Sequence, residues 1–413
     1  MEDIALSLGY RKHIAIVTLL LIYVFGANSL YGLLFRNGYY EALIKIRDEG
    51  PHYLPGSSNP ILTRYTWIRP LDKVLTLATV MFANVTDGNS PELSLYSFHF
   101  AGQYLAILLV LAIEGLRMGN KSNLLRFFPF WGCAMQMTSY GCTMPLYGIL
   151  HLTTSPTAED TSLGLAEDVS TSSLLDLSVL PQASVLGYII PAILMSLPFS
   201  SNSLHQWFGG LWQGSPIWIA IMQRLLAIRL AKRRRLHYVH NGQMMSHSDS
   251  TKQLPTENPE LAISLARAHE DYSLSKCYSF AFAFCLLSQI GPLILIMAVA
   301  LYPAGFSRSL QEAWTMYNVF LPPPFWSTEQ MKSMATGMHD FFLYDQYVGS
   351  TAAIIWATTL YVISRETVMT VKSWVQLAFK IAGLSLLSGP IGAVVWLMWE
   401  RDQSVLLETT LLY

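Results

Sequence analysis

Asp345, in the stretch "FLYDQYVG", stands at the mouth of an apolar run that continues to Ser364. An ionisable group near lipid is costly unless it is paired, wet or turned inward, which makes it a functional candidate. An apolar setting favours the neutral, proton-carrying form of a carboxyl, so Asp345, flanked by Tyr344, Gln346 and Tyr347, fits a proton donor. The plainer reading is a helix N-cap. Glu114 is the second acid: in "FHFAGQYLAILLVLAIEGLRMGN" it shares an apolar run with His99 and Gln103. Gln103 and Glu114 are about 20° apart on a helix and so face one interior. A pair between Glu114 and Arg117 at i+3 is the plainer alternative.

The aromatic rings near these acids matter if a reaction passes through a carbocation. The negative face of a ring attracts a cation without trapping it as water would. Trp207, Phe208 and Trp212 lie in the unusual segment "PFSSNSLHQWFGGLWQGSPIW", where an interfacial aromatic belt is the alternative. Other chemistries lack their residues. The chain has no HExxH motif, and its close pair His237 and His240 sits in a polar stretch, so no metal site is expected. No GxGxxG follows a strand and no GxxxxGK[ST] occurs, so no nucleotide cofactor is expected. A magnesium-bound diphosphate needs clustered carboxylates, and DDxxD is missing.

The elements that must hold these residues read as membrane helices. The 413 residues are 52% hydrophobic and only 13% charged, and the net charge of -1 offers no general surface for nucleic acid. Apolar runs long enough to cross a bilayer occur at Ile14–Phe35, Leu95–Leu116, Phe127–Leu150, Val179–Leu197, Tyr278–Leu301, Phe341–Ser364 and Trp374–Trp399. Two weaker runs, Leu71–Val85 and Ile217–Leu230, contain charges. The expectation is an all-α, polytopic membrane bundle of about eight helices, seven to nine, forming one integral domain over residues 1–413. The stretch 237–271 is expected as a polar surface loop, and no internal repeat is visible. Cys133, Cys142, Cys277 and Cys285 read as small hydrophobes.

Charge conflicts with crossing number. Thr153–Ser178 carries five acids and no Lys or Arg, which places it on the non-cytoplasmic side, opposite the basic loop Arg117–Arg126. The run "RLAKRRR" at Arg229–Arg235 also asks to be cytoplasmic, yet two crossings from Ser178 return the chain outside. Either Ile217–Leu230 is interfacial, or Ser200–Gly214 is re-entrant.

The stretches "QYLAILLVLAIEGLRMGN", "HQWFGGLWQGSPIW", "FLYDQYVG" and "WLMWERD" resemble a fungal family of membrane-bound terpene cyclases, the kind found in ascofuranone, ascochlorin and macrophorin pathways. The resemblance runs from about Arg69 to Asp402. It implies a multi-helix membrane enzyme that cyclises a farnesyl or longer chain on an aromatic polyketide without a metal, by protonating a terminal epoxide or alkene. On that basis Asp345 is expected as proton donor and Glu114 as partner acid or terminal base. Trp207 and Trp212 are expected as cation-stabilising walls, with Gln103, Gln206 and Tyr344 binding substrate. The expected surroundings are the lipid bilayer of the endoplasmic reticulum or another endomembrane. An acyltransferase using His205 and a proton-coupled transporter or lipid-binding protein are the competing readings.

Overall fold

The structure is a computed structural model, described for residues 2–50, 52–159, 162–240, 259–365 and 369–408. Among these residues the fold is all-helical, and the β pairing is confined to the isolated bridges Tyr53↔Pro60 and Arg117↔Thr171. The helices that position the site are α1 (Glu2–Ala27), α2 (Arg69–Phe82), α3 (Pro91–Gly115), α4 (Phe128–Thr138) and α5 (Tyr140–Thr154). They are followed by α6 (Leu180–Ser196), α7 (Asn202–Gln213), α8 (Ser215–His240), α9 (Pro259–Leu301), α10 (Met334–Ile363) and α11 (Val371–Glu408).

Four described helices are long and apolar enough to cross a membrane: Tyr10–Arg36, Pro91–Gly115, Ser264–Leu301 and Val371–Leu406. That is fewer than the eight expected, for local reasons. The polar residues His339, Asp340, Asp345 and Gln346 dilute α10, the basic run dilutes α8, and α6 is short. Helix α2 has 14 residues, about 21 Å, and cannot span. Of the polar stretch 237–271, residues 241–258 lie outside the described residues; on either side the chain is helical.

The run Phe127–Leu150 is not one helix. It breaks at Ser139, whose backbone takes φ 107°, and α5 folds back beside α4 until Trp131 and Tyr147 meet with ring centroids 5.2 Å apart. Both ends of this hairpin therefore lie at the same end of the bundle. Consequently the loops on either side of it touch: Met118 N donates to Ser170 O at 2.9 Å, and Ser172 N donates to Leu116 O at 2.8 Å. This overturns the placement of Thr153–Ser178 on the face opposite Arg117–Arg126, and it removes the conflict in crossing number. Helix α6 leaves this end and α8 returns to it, with Gln223 bonded to Asp176 O at 3.1 Å, so the basic run lies on the same side. Neither an interfacial Ile217–Leu230 nor a re-entrant Ser200–Gly214 is required.

Helix α11 folds back in the same way at Gly389 (φ 77°, ψ 166°), before Pro390. The Lys380 ammonium reaches the Glu400 carboxylate and lies 5.9 Å from the Trp396 ring. The chain thus uses one plan twice: α1, α3 and the α4–α5 hairpin, then α9, α10 and the α11 hairpin. Each corner docks on the long helix of the other half. Gly141 N donates to Asp345 Oδ1 at 2.7 Å, and Ile391 N donates to Gln103 Oε1 at 3.0 Å. Both donors lie two residues beyond their corner. Phe100 and Phe342, each three residues before the accepting side chain, meet between the halves with centroids 5.5 Å apart. His151 and Arg401, each twelve residues past its corner, reach Trp356 (centroids 5.3 Å) and Glu114 (3.1 Å), each eleven residues beyond Asp345 or Gln103. This is an internal repeat that residue identities alone do not display.

The common end of the bundle is clamped by charge. Glu114 accepts from Arg117 and Arg401 and meets His151, all at 3.1 Å, while Asp402 accepts from Arg117, from Arg401 at 3.1 Å and from Tyr278 at 2.6 Å. Two acids balance two guanidinium groups, all buried. Burial alone would pull Arg117 down, but the Asp402 and Glu114 carboxylates outweigh it and hold the guanidinium above its ordinary value. The expected i,i+3 pair is therefore present, inside a larger network.

Candidate active site

A cavity of about 1380 Å³ opens between the halves. Its walls come from α2, α3, α4 and α6 to α10, together with the π-helical turn Asn28–Gly32 that continues α1. Most of the lining is apolar. Among the described residues Asp345 is its one carboxyl, and no imidazole, amine or guanidinium joins it there. Met137, Phe98 and Leu287 line the cavity yet are 68%, 48% and 57% exposed, so it opens on the apolar flank of the bundle.

The Ser139 corner sets Asp345 in place. Ser139 caps α5 by accepting from Cys142 N at 3.1 Å, which turns the first amides of α5 toward α10. Asp345 Oδ1 accepts from Gly141 N, with the Ser139 side chain and Tyr140 backbone beside the same carboxyl. A Cβ on Gly141 would meet Leu30 at 3.0 Å and Asp345 Oδ1 at 3.3 Å, so only glycine allows this approach without displacement. Nearby, Tyr31 donates to Thr138 O, the last carbonyl of α4. A side chain at φ 107° is strained, and the hairpin packing must over-determine it.

A chain of rings leads away from the acid. Tyr140 lies 6.2 Å from Phe100, Phe100 lies 5.5 Å from Phe342, Phe342 lies 5.5 Å from Phe82, and Phe82 lies 5.4 Å from Trp212. Four of the five, Tyr140 excepted, line the cavity. Four polar atoms of the lining have no hydrogen-bond partner among the described residues: Ser94 Oγ, Ser97 Oγ, Gln136 Nε2 and Trp212 Nε1.

Of the residues expected from sequence, Asp345, Trp207 and Trp212 come together in this cavity. The other four are placed elsewhere. Glu114 sits in the charge cluster. Gln103 bonds Ser388 O at 3.0 Å, Ser288 Oγ at 3.1 Å and Cys285 O at 3.2 Å, besides Ile391 N, and so holds the Gly389 corner. Gln206 accepts from Leu62 N at 2.7 Å and donates to Pro60 O at 2.9 Å, pinning the segment before α2. Tyr344 donates to Pro323 O. His205 stands behind the lining, where it meets the lining residue Thr86 at Oγ1, 3.2 Å away.

Sequence reasoning missed Ser139, Gly141, Phe82, Phe100 and Phe342. The signal for the first two was slight: a serine three residues ahead of an amide it caps, with Pro145 one turn further on. The phenylalanines carried no signal that sets them apart from ordinary core residues.

A family model described as the CtvD domain matches residues 14–406. The terpene cyclase ctvD of Aspergillus terreus is 29% identical over 393 residues, covering 93% of this chain and 98% of the relative. The terpene cyclase penA of Penicillium crustosum is 26% identical, covering 94% of this chain and 95% of the relative. The terpene cyclase ascI of Acremonium egyptiacum is 28% identical, covering 82% and 79%. No solved structure matches the chain.

Proposed function

The chain belongs to the CtvD-domain family and is a terpene cyclase, and from that premise we propose that Asp345 starts the reaction by protonating a prenylated aromatic substrate. The observation that carries this reading is that Asp345 is the one carboxyl among the described residues that line a large apolar cavity. The proton passes to a terminal epoxide oxygen or alkene carbon of a farnesyl-type chain. The cation that forms is attacked by the next double bond, and each ring closure moves the charge along the chain. The product leaves with the same atoms as the substrate.

The rings of Phe342, Phe100, Phe82 and Trp212 suit the later cations, because they offer electron density without a nucleophilic lone pair. Trp207, 45% exposed and 5.3 Å from Tyr65, walls the outer part of the cavity. Glu114, fully ion-paired in its cluster, supports the fold in this reading. The closing proton therefore returns to the Asp345 carboxylate, which restores the acid for the next turnover.

The setting is a membrane in this reading, with α1, α3, α6, α8, α9 and α10 crossing it and the α4–α5 and α11 hairpins entering and returning as one domain. A prenylated substrate reaches the cavity through its apolar flank, and an endomembrane such as the endoplasmic reticulum supplies such a phase. No observation favours an acyltransferase or a transporter.

The test feeds membranes of a fungal or yeast host carrying the chain with a farnesylated phenol, with and without a terminal epoxide. A product of unchanged mass and new retention time, lost in Asp345→Asn, is expected. Loss of 10²-fold or more in rate matches removal of a general acid, roughly the low end of such effects. Normal product from Asp345→Asn would overturn the assignment.

A further inference from the structure

The cavity is larger than a prenyl chain needs, since roughly 300–1000 Å³ already holds an entire drug-sized ligand. Its lining also holds buried polar atoms. Ser97 and Trp212 are 9% and 7% exposed, line the cavity, and leave Oγ and Nε1 without a partner. Ser94, one turn before Ser97 on the same face of α3, leaves its Oγ unpartnered as well. A buried donor without a partner costs stability, so a site that keeps three of them together is shaped for something that accepts.

These three groups share one section of the cavity. Trp212 lies 5.7 Å from Tyr188, whose hydroxyl donates to Ala101 O at 2.9 Å, one turn beyond Ser97. Helices α3 and α10 run in the same direction and meet through the Phe100 and Phe342 rings, with centroids 5.5 Å apart, and through His99 and Gln346 at 2.8 Å, so these groups and Asp345 line one cavity from neighbouring helices.

We propose that Ser94, Ser97 and the Trp212 indole N–H form the subsite that binds the oxygen-bearing head of the substrate. The indole is a donor only, and the hydroxyls donate or accept, so the occupant is an oxygen that accepts: a phenol or a carbonyl on the ring. This rests on the cyclase reading above and adds the residues that select the head.

The experiment compares a farnesylated phenol with the same molecule lacking the phenol oxygen, as isomerised by membranes of the full chain. The wild type is expected to prefer the phenol about tenfold or more in kcat/KM. Ser97→Ala should erase most of that preference by raising KM for the phenol, and Ser97→Thr should retain it. Trp212→Phe keeps an aromatic wall but removes the N–H, and should lose preference as well; it decides the matter if Ser97→Ala does not reach the membrane. A wild-type preference that survives in these variants, or no preference in the wild type, overturns the subsite and leaves the cyclase intact. No isomer from either substrate in the wild type overturns the cyclase reading itself.

Discussion

Gly141 donates its amide to Asp345 across 204 residues of sequence, at 2.7 Å. The bond joins the corner of one helical hairpin to the middle of a helix in the other half of the chain. It fixes the orientation of a carboxyl that lines the cavity.

Gly141→Ala tests whether that approach matters. The added methyl would press on Leu30 and Asp345 at 3.0–3.3 Å, tight enough to push α5 from α10 by a few tenths of an ångström. The expected outcome is a protein that reaches the membrane in normal amount with turnover reduced about tenfold to a hundredfold, because a small misplacement of a catalytic group is costly. Wild-type rates in purified Gly141→Ala would show that the contact is not needed.

Gln103→Ala addresses the equivalent contact in the other half. It would strip the Gly389 corner of its acceptor for Ile391 N and remove three donated bonds. Leaving such groups buried and unpaired costs about 3 kcal/mol. The thermal midpoint in detergent should fall, whereas any surviving folded protein should keep the wild-type product pattern. An unchanged midpoint would remove Gln103 from the fold's supports.

The ion cluster separates stability from chemistry. Arg401→Met leaves Glu114 and Asp402 with one guanidinium between them, which costs about 3–5 kcal/mol for a buried network. Little of the variant should accumulate in membranes. Asp345→Asn, by contrast, should accumulate normally, since the amide oxygen still accepts from Gly141. Equal yields for the two variants would contradict this division of roles.

The hairpins make a prediction about sidedness. Lys121, Glu167 and Lys232 lie at one end of the bundle and are all exposed, while Arg308 is at the other end. Cysteines placed at the first three positions should react with an impermeant reagent from one side only, and the cytosol is expected, given the basic run beside Lys232. A cysteine at Arg308 should react from the other side. Labelling of positions 121 and 167 from opposite faces would mean that the stretch between Phe127 and Leu150 crosses after all.

The amino-acid sequence by itself determined the class of molecule and singled out Asp345, the acid that lines the cavity. Long apolar runs, few charges and the lack of metal or nucleotide motifs are properties of composition and short spacing, and Asp345 stands out because an ionisable group in such a run is rare. The Glu114–Arg117 pair was legible for the same reason, being one helical turn apart. Tertiary structure alone decided the rest. A helix break at Ser139 depends on a strained φ of 107° that hairpin packing enforces, and nothing in the local pattern demands it, whereas the Gly-Pro pair at 389–390 was at least a visible mark for its counterpart. The repeat is held in backbone geometry and in reciprocal contacts between Asp345 and Gly141 and between Gln103 and Ile391, so a comparison of residue identities does not see it. Which polar residues face the cavity was undecidable for the same reason: a helix buried all round, like α3, gives Gln103 and Ser97 equally apolar neighbours in sequence, and only the packing of the two halves turns one toward a corner and the other toward the ligand space.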